Sequence, residues 1–279
     1  MGYKVFMDSC GQLTEAMKAN EVFVSIPLTI ELDGEIIMDD ETFNQAEFLK
    51  KVAASPNVPK SSCPSPEEFM QCYQNDAERI YVVTISDQLS GTYNSAVLGK
   101  NLYQEEQGDK PVHVFNSYSA VAGQTVVALK VQECEEAGME FAQVVETVEA
   151  YIAEQHTYFV LETLDTVRKS GRLTGIKSVM ASALNIKPVM GSTPEGTIQQ
   201  LGQGRGMRRA LGKMVDQIVK DVKNSEEKIL AIAHCNCKQR ALEVQQMVRE
   251  RIKIKDSLIV NTAAIGTMYA NDGGIVVAL

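Results

Sequence analysis

In the first half of the chain, short apolar runs alternate with longer segments whose apolar residues recur every three to four positions. Such runs have the length of strands, and the segments between them space their apolar residues as amphipathic helices do. The strand-like runs are YKVFM, EVFVSIPLTIEL, RIYVVTIS and PVHVFN, and the helical segments include SPEEFMQCYQND, TYNSAVLGKNLYQ and SAVAGQTVVALKVQECEEAG. Strands joined by helices of this length predict a mainly parallel sheet with helices on both faces.

A second pattern follows the helical segment FAQVVETVEAYIAEQ. Its strand-like runs are flanked by turns, and its predicted helices are MRRALGKMVDQIVKDVKNS and KQRALEVQQMVRERI; the runs themselves are TYFVLET, NIKPVMGSTPEGTIQQL, KILAIAHC, SLIVNTAAI and GGIVVAL. This pattern predicts a mixed sheet. We therefore expect an α/β protein of two domains: a three-layer αβα domain with a mainly parallel sheet at residues 1–154, and a second α/β domain with a mixed sheet at 155–279.

Composition and charge limit the classes of function. A chain of 279 residues with 44% hydrophobic and 23% charged residues is long enough for two cores. Its net charge of -9 argues against non-specific binding of nucleic acid or anionic membrane, which requires a basic surface. The sequence has neither a signal-peptide pattern nor a long uncharged apolar run, so we expect a cytoplasmic protein without stable membrane insertion. The six scattered cysteines are interpreted as reduced thiols.

A hydroxyl-rich loop follows the predicted strand RIYVVTIS. With a helix beginning near Thr92, the residues Ser90, Gly91 and Thr92 lie where free backbone amides and the positive end of the helix dipole converge. Such a place favours an anion. The alternative is a plain helix N-cap, which serine and threonine form routinely at a gain of about 1 kcal/mol.

Two more loops have the same character. The stretch PKSSCPSPEEF carries Ser61 and Ser62 ahead of a predicted helix, and MDSCGQLT ends a strand on Asp8, Ser9 and Cys10. If the three loops converge, neutral donors dominate the site. That arrangement is a poor general base but suits one carboxylate or phosphate.

The usual catalytic motifs are missing from the sequence. No phosphate-binding loop, dinucleotide-binding turn or nucleophile elbow is present. The stretch AHCNC offers fewer ligands than the four of a structural zinc site, so we predict no metal. Nucleophilic roles for Cys10 and Cys63 stay open, although neither has an evident histidine partner. The three histidines lie in or beside apolar runs and are interpreted as packed or surface side chains: His113, His156 and His234.

Several motifs together resemble the DegV family of bacterial fatty-acid-binding proteins. They are IPLTIELDGE, KSSCPSP, SDQLSGTYNSA and VLETLDTVRKSGRLTGIKSVMASALNIKPVMGSTPEG, in the family's order over nearly the whole chain. The resemblance implies a two-domain protein that buries the tail of one long-chain fatty acid between its domains. It further implies a carrier without a cofactor, not an enzyme, which presents the carboxylate to a separate fatty acid kinase.

The resemblance also assigns residues. It places carboxylate recognition on Ser90 and Ser61, and it leaves Arg172 as a head-group support, a partner contact or an ordinary surface arginine at a turn. The predicted ligand-binding set is Ser61, Ser62, Ser90, Gly91, Thr92, Arg172 and Tyr269.

Three positions depart from the family pattern. Cys10 replaces a threonine, Cys63 replaces a glutamine, and YANDG puts Tyr269 where a ligand-facing histidine is expected. A shift of one residue would put Met268 there instead. Tyrosine donates a hydrogen bond but stays neutral near pH 7, so the possible charge of a histidine is lost.

Two other functions stay open. One is a small-molecule phosphotransfer enzyme related to the dihydroxyacetone kinase substrate domain. Such an enzyme should carry a histidine that attaches its substrate, and no histidine here lies in a suitable glycine-rich loop. The other is a regulatory or interaction protein with a vestigial pocket.

Overall fold

The computed structural model of the chain describes residues 2–173 and 185–279. Residues 174–184, which belong to the longest motif of the resemblance, lie outside the described residues. The strands are β1 (Tyr3–Asp8), β2 (Phe23–Ile26), β3 (Thr29–Leu32), β4 (Glu35–Met38), β5 (Lys60–Ser62), β6 (Arg79–Thr84), β7 (Val112–Asn116), β8 (Thr157–Val160), β9 (Ile186–Ser192), β10 (Ile198–Arg205), β11 (Ile229–His234), β12 (Asp256–Asn261) and β13 (Ile275–Ala278). The helices are α1 (Glu15–Lys18), α2 (Gln45–Ala54), α3 (Pro66–Tyr73), α4 (Thr92–Gln107), α5 (Ala122–Glu136), α6 (Phe141–Ala153), α7 (Asp165–Lys169), α8 (Met207–Asp221), α9 (Lys238–Arg249) and α10 (Ala264–Ala270).

The first sheet is parallel and has helices on both faces. Its strand order is β2-β1-β6-β7. Successive side chains of a strand point to opposite faces, so β1 and β6 feed two separate cores. Met7 and Tyr81 pack with α5 and α6 on one face, whereas Phe6 and Val82 pack with α3 and α4 on the other. This arrangement confirms the predicted three-layer αβα architecture with a parallel sheet.

The second sheet is mixed, with the strand order β10-β9-β8-β13-β11-β12. Only β11 and β12 run parallel to each other, and the remaining described pairs are antiparallel. Helices α8 and α9 pack on one face, where Ile232 and Val277 are buried. The opposite face turns Ala233 and Val276 towards residues of the first half, including Val121. The protein is thus a two-domain α/β protein, as expected.

The connection between the two sheets runs through α6. This helix ends at Ala153, and β8, which belongs to the second sheet, begins at Thr157. The predicted boundary after residue 154 falls in that connection, and the division into 1–154 and 155–279 stays a prediction. Within residues 2–173 and 185–279, no helix is long and apolar enough to cross a membrane.

A third, small antiparallel sheet was not predicted. It has the order β4-β3-β5 and carries Ser61 in β5. The run EVFVSIPLTIEL, interpreted above as a single strand, is divided between β2 and β3 around Pro27, which has no amide hydrogen to donate to a sheet. Asp33 and Gly34 then form the tight turn between β3 and β4, both with positive φ, at 53° and 83°.

The run SLIVNTAAI is a strand only in its first part, which corrects the prediction. Strand β12 ends at Asn261, and α10 begins at Ala264. The apolar residues Ala264 and Ile265 begin a helix and do not continue the strand. Their backbone amides donate to the carboxylate of Asp39, which lies far away in the sequence.

Candidate functional site

A cavity of about 780 Å³, measured with the part that opens to solvent, lies where the two halves of the chain meet. The first half contributes loop residues after β6 and β7, such as Ile85 and Val121, and the second half contributes Phe159, Ile198 and Val276. The lining surface is almost entirely apolar. The cavity therefore suits a long apolar ligand, since burial of such a ligand is favourable at ~0.8 kcal/mol per methylene.

Strand β8 and the residue after it form one wall of the cavity. Thr157, Phe159 and Leu161 face the cavity, whereas Tyr158 and Val160 pack with α8 and α9 on the other side. Leu161 packs in a cluster with Tyr269, so this end of the wall lies beside α10.

Ser61 and Tyr269 meet at that end. The Ser61 Oγ lies 3.1 Å from the Tyr269 hydroxyl, and Tyr269 also lines the cavity. Ser62 follows Ser61 in β5 and is exposed, as the alternation of a strand requires. Of the two serines, Ser61 is the one that the fold brings to Tyr269.

Arg172 joins Tyr269 to the loop that contains Ser90. Its Nε donates to the backbone carbonyl of Leu89 at 3.1 Å, and Nη1 donates to the carbonyl of Ser170 at 2.8 Å. The guanidinium carbon lies 5.8 Å from the centre of the Tyr269 ring, within the range of cation–π attraction. Arg172 also lines the cavity, so a positive charge lies beside its polar end.

The start of α4 has no serine cap. Gly91 occupies the N-cap position, and no side chain caps this helix end. The Ser90 Oγ instead lies 2.8 Å from the Thr92 Oγ1, and it accepts a long contact of 3.4 Å from the Thr92 amide. Thr92 is buried, whereas Ser90 is half-buried and Gly91 is exposed. The geometry differs from the plain N-cap that was the alternative explanation of this motif.

The two serine loops lie side by side. The Cys63 Sγ is 3.8 Å from the Ser95 Oγ, in the first turn of α4. A β-carbon placed on Gly91 would lie 3.6 Å from the same sulfur. The loop of Ser61 and the loop of Ser90 therefore converge, as the sequence suggested.

The third predicted loop, which contains Asp8, Ser9 and Cys10, lies beside the cavity and stabilises the loops around it. Asp8 is fully buried, and its carboxylate accepts from the backbone amides of Ile85 at 2.6 Å and Cys10 at 3.1 Å. Burial raises the pKa of Asp8 to about 6, because the interior disfavours the charged form. The Ser9 Oγ accepts from the amide of Leu28 at 2.9 Å. Asp8 and Ser9 thus support neighbouring loops, and Cys10 is the member of this set that lines the cavity.

Two side chains that the sequence analysis missed hold the beginning of α10. The Gln12 Oε1 accepts from the amide of Ala263 at 2.7 Å, and the two Asp39 oxygens accept from Ala264 at 2.6 Å and Ile265 at 3.0 Å. Amides at a helix start have no partner within the helix, so these bonds fix α10 to the first half of the chain. Burial raises the pKa of Asp39 to about 6. The acidic pair Asp39-Asp40 after the run EIIM was the signal available in the sequence, and it does not tell which of the two is buried.

The thiols and histidines lie in surroundings that do not suggest catalysis. Burial raises the pKa of the Cys10 thiol well above its ordinary value, so the thiolate that would act as a nucleophile is disfavoured. His113 contacts Glu149 at 3.0 Å, and the His234 Nδ1 accepts from the Cys237 amide at 3.3 Å. In the part of the chain that the structure describes, no histidine lines the cavity and no group of three or more His, Cys, Asp or Glu could hold a metal ion.

A family model described as "Uncharacterised protein, DegV family" matches residues 3–279. The chain belongs to the DegV family. A DegV domain-containing protein of Streptococcus pneumoniae is 30% identical over 256 residues, which cover 92% of this chain and 90% of that protein.

Solved structures of DegV proteins agree with this fold. A DegV family protein from Ruminococcus gnavus, refined with vaccenic acid, has a TM-score of 0.98 and 60% identity, with 99% of each chain covered. The Streptococcus pneumoniae Fatty Acid Kinase (Fak) B3 protein, loaded with linoleic acid, has a TM-score of 0.90 and 30% identity. That comparison covers 100% of this chain and 99% of the other.

The departures from the DegV pattern fall around the cavity. Cys10 lines it, Cys63 is exposed between the two serine loops, and Tyr269 lies at its polar end. Met268, the other candidate for the histidine position, packs in the core with Ile265 and is 1% exposed. The structure therefore turns Tyr269 towards the cavity at this end of α10.

Proposed function

We propose that this protein binds one long-chain fatty acid, with the acyl tail in the cavity between the two halves of the chain. The carboxylate lies at the end formed by Ser61, Ser90, Arg172 and Tyr269. Ser62, Gly91 and Thr92 belong to the same two loops and complete the proposed head-group region.

The observation that carries this proposal is the contrast between the cavity and its end. The lining is almost entirely apolar, whereas the Ser61 hydroxyl and the Arg172 guanidinium both lie against Tyr269 at one end. An apolar tail supplies affinity by burial, and the polar end fixes the orientation of the ligand. Hydrogen bonds to a charged carboxylate contribute roughly 1.5–3 kcal/mol each. The fatty acids in the two DegV structures named above support the same assignment.

We propose further that the protein is a carrier, which presents the carboxylate to a separate kinase that forms the acyl phosphate. The relative named as the Fak B3 protein supports this role. The polar end lies near the surface, since Ser62, Cys63 and Gly91 beside it are exposed. The cytoplasmic location predicted from the sequence is part of this proposal.

Mass spectrometry of the purified protein tests the binding function and separates it from the alternatives. Under native conditions we expect one fatty acid per chain, and under denaturing conditions the acid should be released intact. A mass increase that survives denaturation would favour the covalent chemistry of the dihydroxyacetone kinase relatives. Native protein that stays ligand-free after incubation with fatty acid would favour the vestigial pocket.

A reconstituted transfer assay tests the carrier role. The loaded protein, ATP and a fatty acid kinase catalytic subunit should together yield acyl phosphate, trapped as the hydroxamate by hydroxylamine. Without the kinase subunit no hydroxamate should form. Formation by the loaded protein and ATP alone would make this chain an enzyme and overturn the carrier role, while leaving fatty-acid binding intact.

A further inference from the structure

The pairing of β8 with β9 shows which residues lie at the end of the cavity opposite Tyr269. Leu161, beside Tyr269, lies just past β8, and Thr157 lies at the start of that strand. Four residues of extended chain span roughly 13 Å. Tyr158 pairs with Gly191 in the antiparallel neighbour β9, so the turn from β9 to β10 lies at the Thr157 end. A fatty acid whose carboxylate is at Tyr269 therefore directs its methyl end towards this turn.

At that end the wall of the cavity is a single layer of side chains. Tyr118 lines the cavity and is nevertheless 39% exposed, so one side chain separates the cavity from solvent. Beside it, the turn between β9 and β10 lines the cavity with Gly196 and Thr197, whereas Pro194 and Glu195 on its outer side are exposed.

The contact between Tyr118 and the turn is tightly fitted. The Ser86 Oγ, which is fully buried, donates to the carbonyl of Gly196 at 2.9 Å. A β-carbon on Gly196 would lie 2.3 Å from that oxygen and 3.0 Å from the Tyr118 Cα. Gly196 has φ +82°, and Tyr118 has φ 46°, a left-handed conformation that is costly for a large side chain. The surrounding structure thus holds Tyr118 in place against its own backbone preference.

We propose that Tyr118, held against Gly196 by the Ser86 hydrogen bond, is the end wall that limits the length of the acyl chain. This inference rests on the proposed fatty-acid function. With the wall in place, an acid that exceeds the cavity must leave methylenes in water or displace the ring. Each methylene that fails to be buried lowers the affinity roughly fourfold.

Competition between acids of different length tests the wall. Delipidated parent and Tyr118→Ala are incubated with an equimolar mixture of hexadecanoic, octadecanoic, eicosanoic and docosanoic acids, and the retained acids are quantified by mass spectrometry. In Tyr118→Ala the ratio of docosanoic to octadecanoic acid should rise by about tenfold or more, since several further methylenes are buried. Ser86→Ala, which releases the turn but leaves the ring, should shift the ratio in the same direction and by less.

Two controls make the result specific. Tyr118→Phe keeps the ring, and Glu195→Ala changes the exposed side of the same turn, so both should keep the parent's profile. General loss of stability lowers the total retained acid but does not favour longer chains. If Tyr118→Ala and Ser86→Ala retain fatty acid with the parent's profile, the end wall is disproved while the binding function stands. If the parent retains no acid, the proposed function itself fails.

Discussion

The hydroxyl of Tyr269 lies 3.1 Å from the Ser61 Oγ, although 208 residues separate the two in the chain. One residue belongs to the small sheet of the first half, and the other to α10 of the second half. Tyr269 lines the cavity, so the contact places one hydroxyl group from each half of the chain at its polar end.

Tyr269→Phe should weaken fatty-acid binding by about 1–2 kcal/mol, which is the scale of one lost hydrogen bond. Tyr269→His should introduce a pH dependence near 6.5. Titration with a fluorescent fatty acid measures all three proteins. Equal affinity of Tyr269→Phe and the parent would exclude this hydroxyl from the head-group site.

The two serines of β5 form a matched pair. Ser61→Ala should lower the retention of fatty acid, because Ser61 contacts Tyr269 at the cavity, whereas Ser62 is exposed on the other side of the strand. Ser62→Ala is therefore the comparison for Ser61→Ala, with the same change one residue away. A loss as large in Ser62→Ala would support the direct role that the sequence predicted for Ser62. A loss confined to Ser61→Ala would restrict recognition to Ser61.

Ser90→Ala should reduce retention without unfolding the protein. A hydrogen bond to a charged group contributes roughly 1.5–3 kcal/mol. Gly91 occupies the N-cap position of α4, so removal of the Ser90 hydroxyl takes from the helix start only the long contact of 3.4 Å with the Thr92 amide. Bound lipid and the melting temperature of ligand-free protein are the two measurements. A large fall in melting temperature with unchanged lipid would return Ser90 to a purely structural role.

The sequence predicted both larger sheets because each of their strands is a short apolar run or alternates apolar and polar residues. Such a pattern can be read within one strand, without knowledge of its neighbours. The small sheet was missed although Asp33-Gly34 is a strong hairpin signal, since the apolar residues continue across Pro27 and resemble one strand. The loops that contain Ser61 and Ser90 were predicted for a similar reason. Hydroxyl residues between a strand-like run and a helical segment form a pattern that is visible within a few residues of sequence.

Contacts between distant residues were beyond the reach of the sequence. Asp39 binds the amides of Ala264 and Ile265, 225 and 226 residues further along the chain. Nothing near Asp39 distinguishes it from Asp40, which is not buried. The polar end of the cavity depends on such pairings, so its residues were predictable one loop at a time but their geometry was not.

Arg172→Ala distinguishes the roles left open for this arginine. Because its guanidinium lies beside the cavity and over the Tyr269 ring, we expect weaker fatty-acid retention, by roughly 1.5–3 kcal/mol. Arg172→Lys should restore only part of the loss, since a lysine lacks the planar fork that reaches the Leu89 carbonyl. Normal retention with slow transfer in the kinase assay would instead identify Arg172 as a partner contact.

The buried carboxylate of Asp39 should make stability depend on pH in an unusual direction. Burial raises its pKa from 3.8 to about 6 in the folded protein, so between those values the folded chain binds a proton that the unfolded chain has released. The free energy of unfolding should therefore fall as pH rises from about 4 to 6, and level off above, by a few kcal/mol in total for this group. Asp8, with the same shift, adds a similar fall in the same range.

Denaturant unfolding of ligand-free parent and Asp39→Asn between about pH 4.5 and 7 measures the slope that Asp39 contributes. The fall in stability with rising pH should be smaller in the variant than in the parent. Asp40→Asn is the control: bonds from Thr42 lower the pKa of Asp40, so its contribution is constant over this range and the parent's slope should persist. Identical slopes for the parent and Asp39→Asn would show that Asp39 does not titrate between pH 4.5 and 7 and that its carboxylate stays charged at the start of α10.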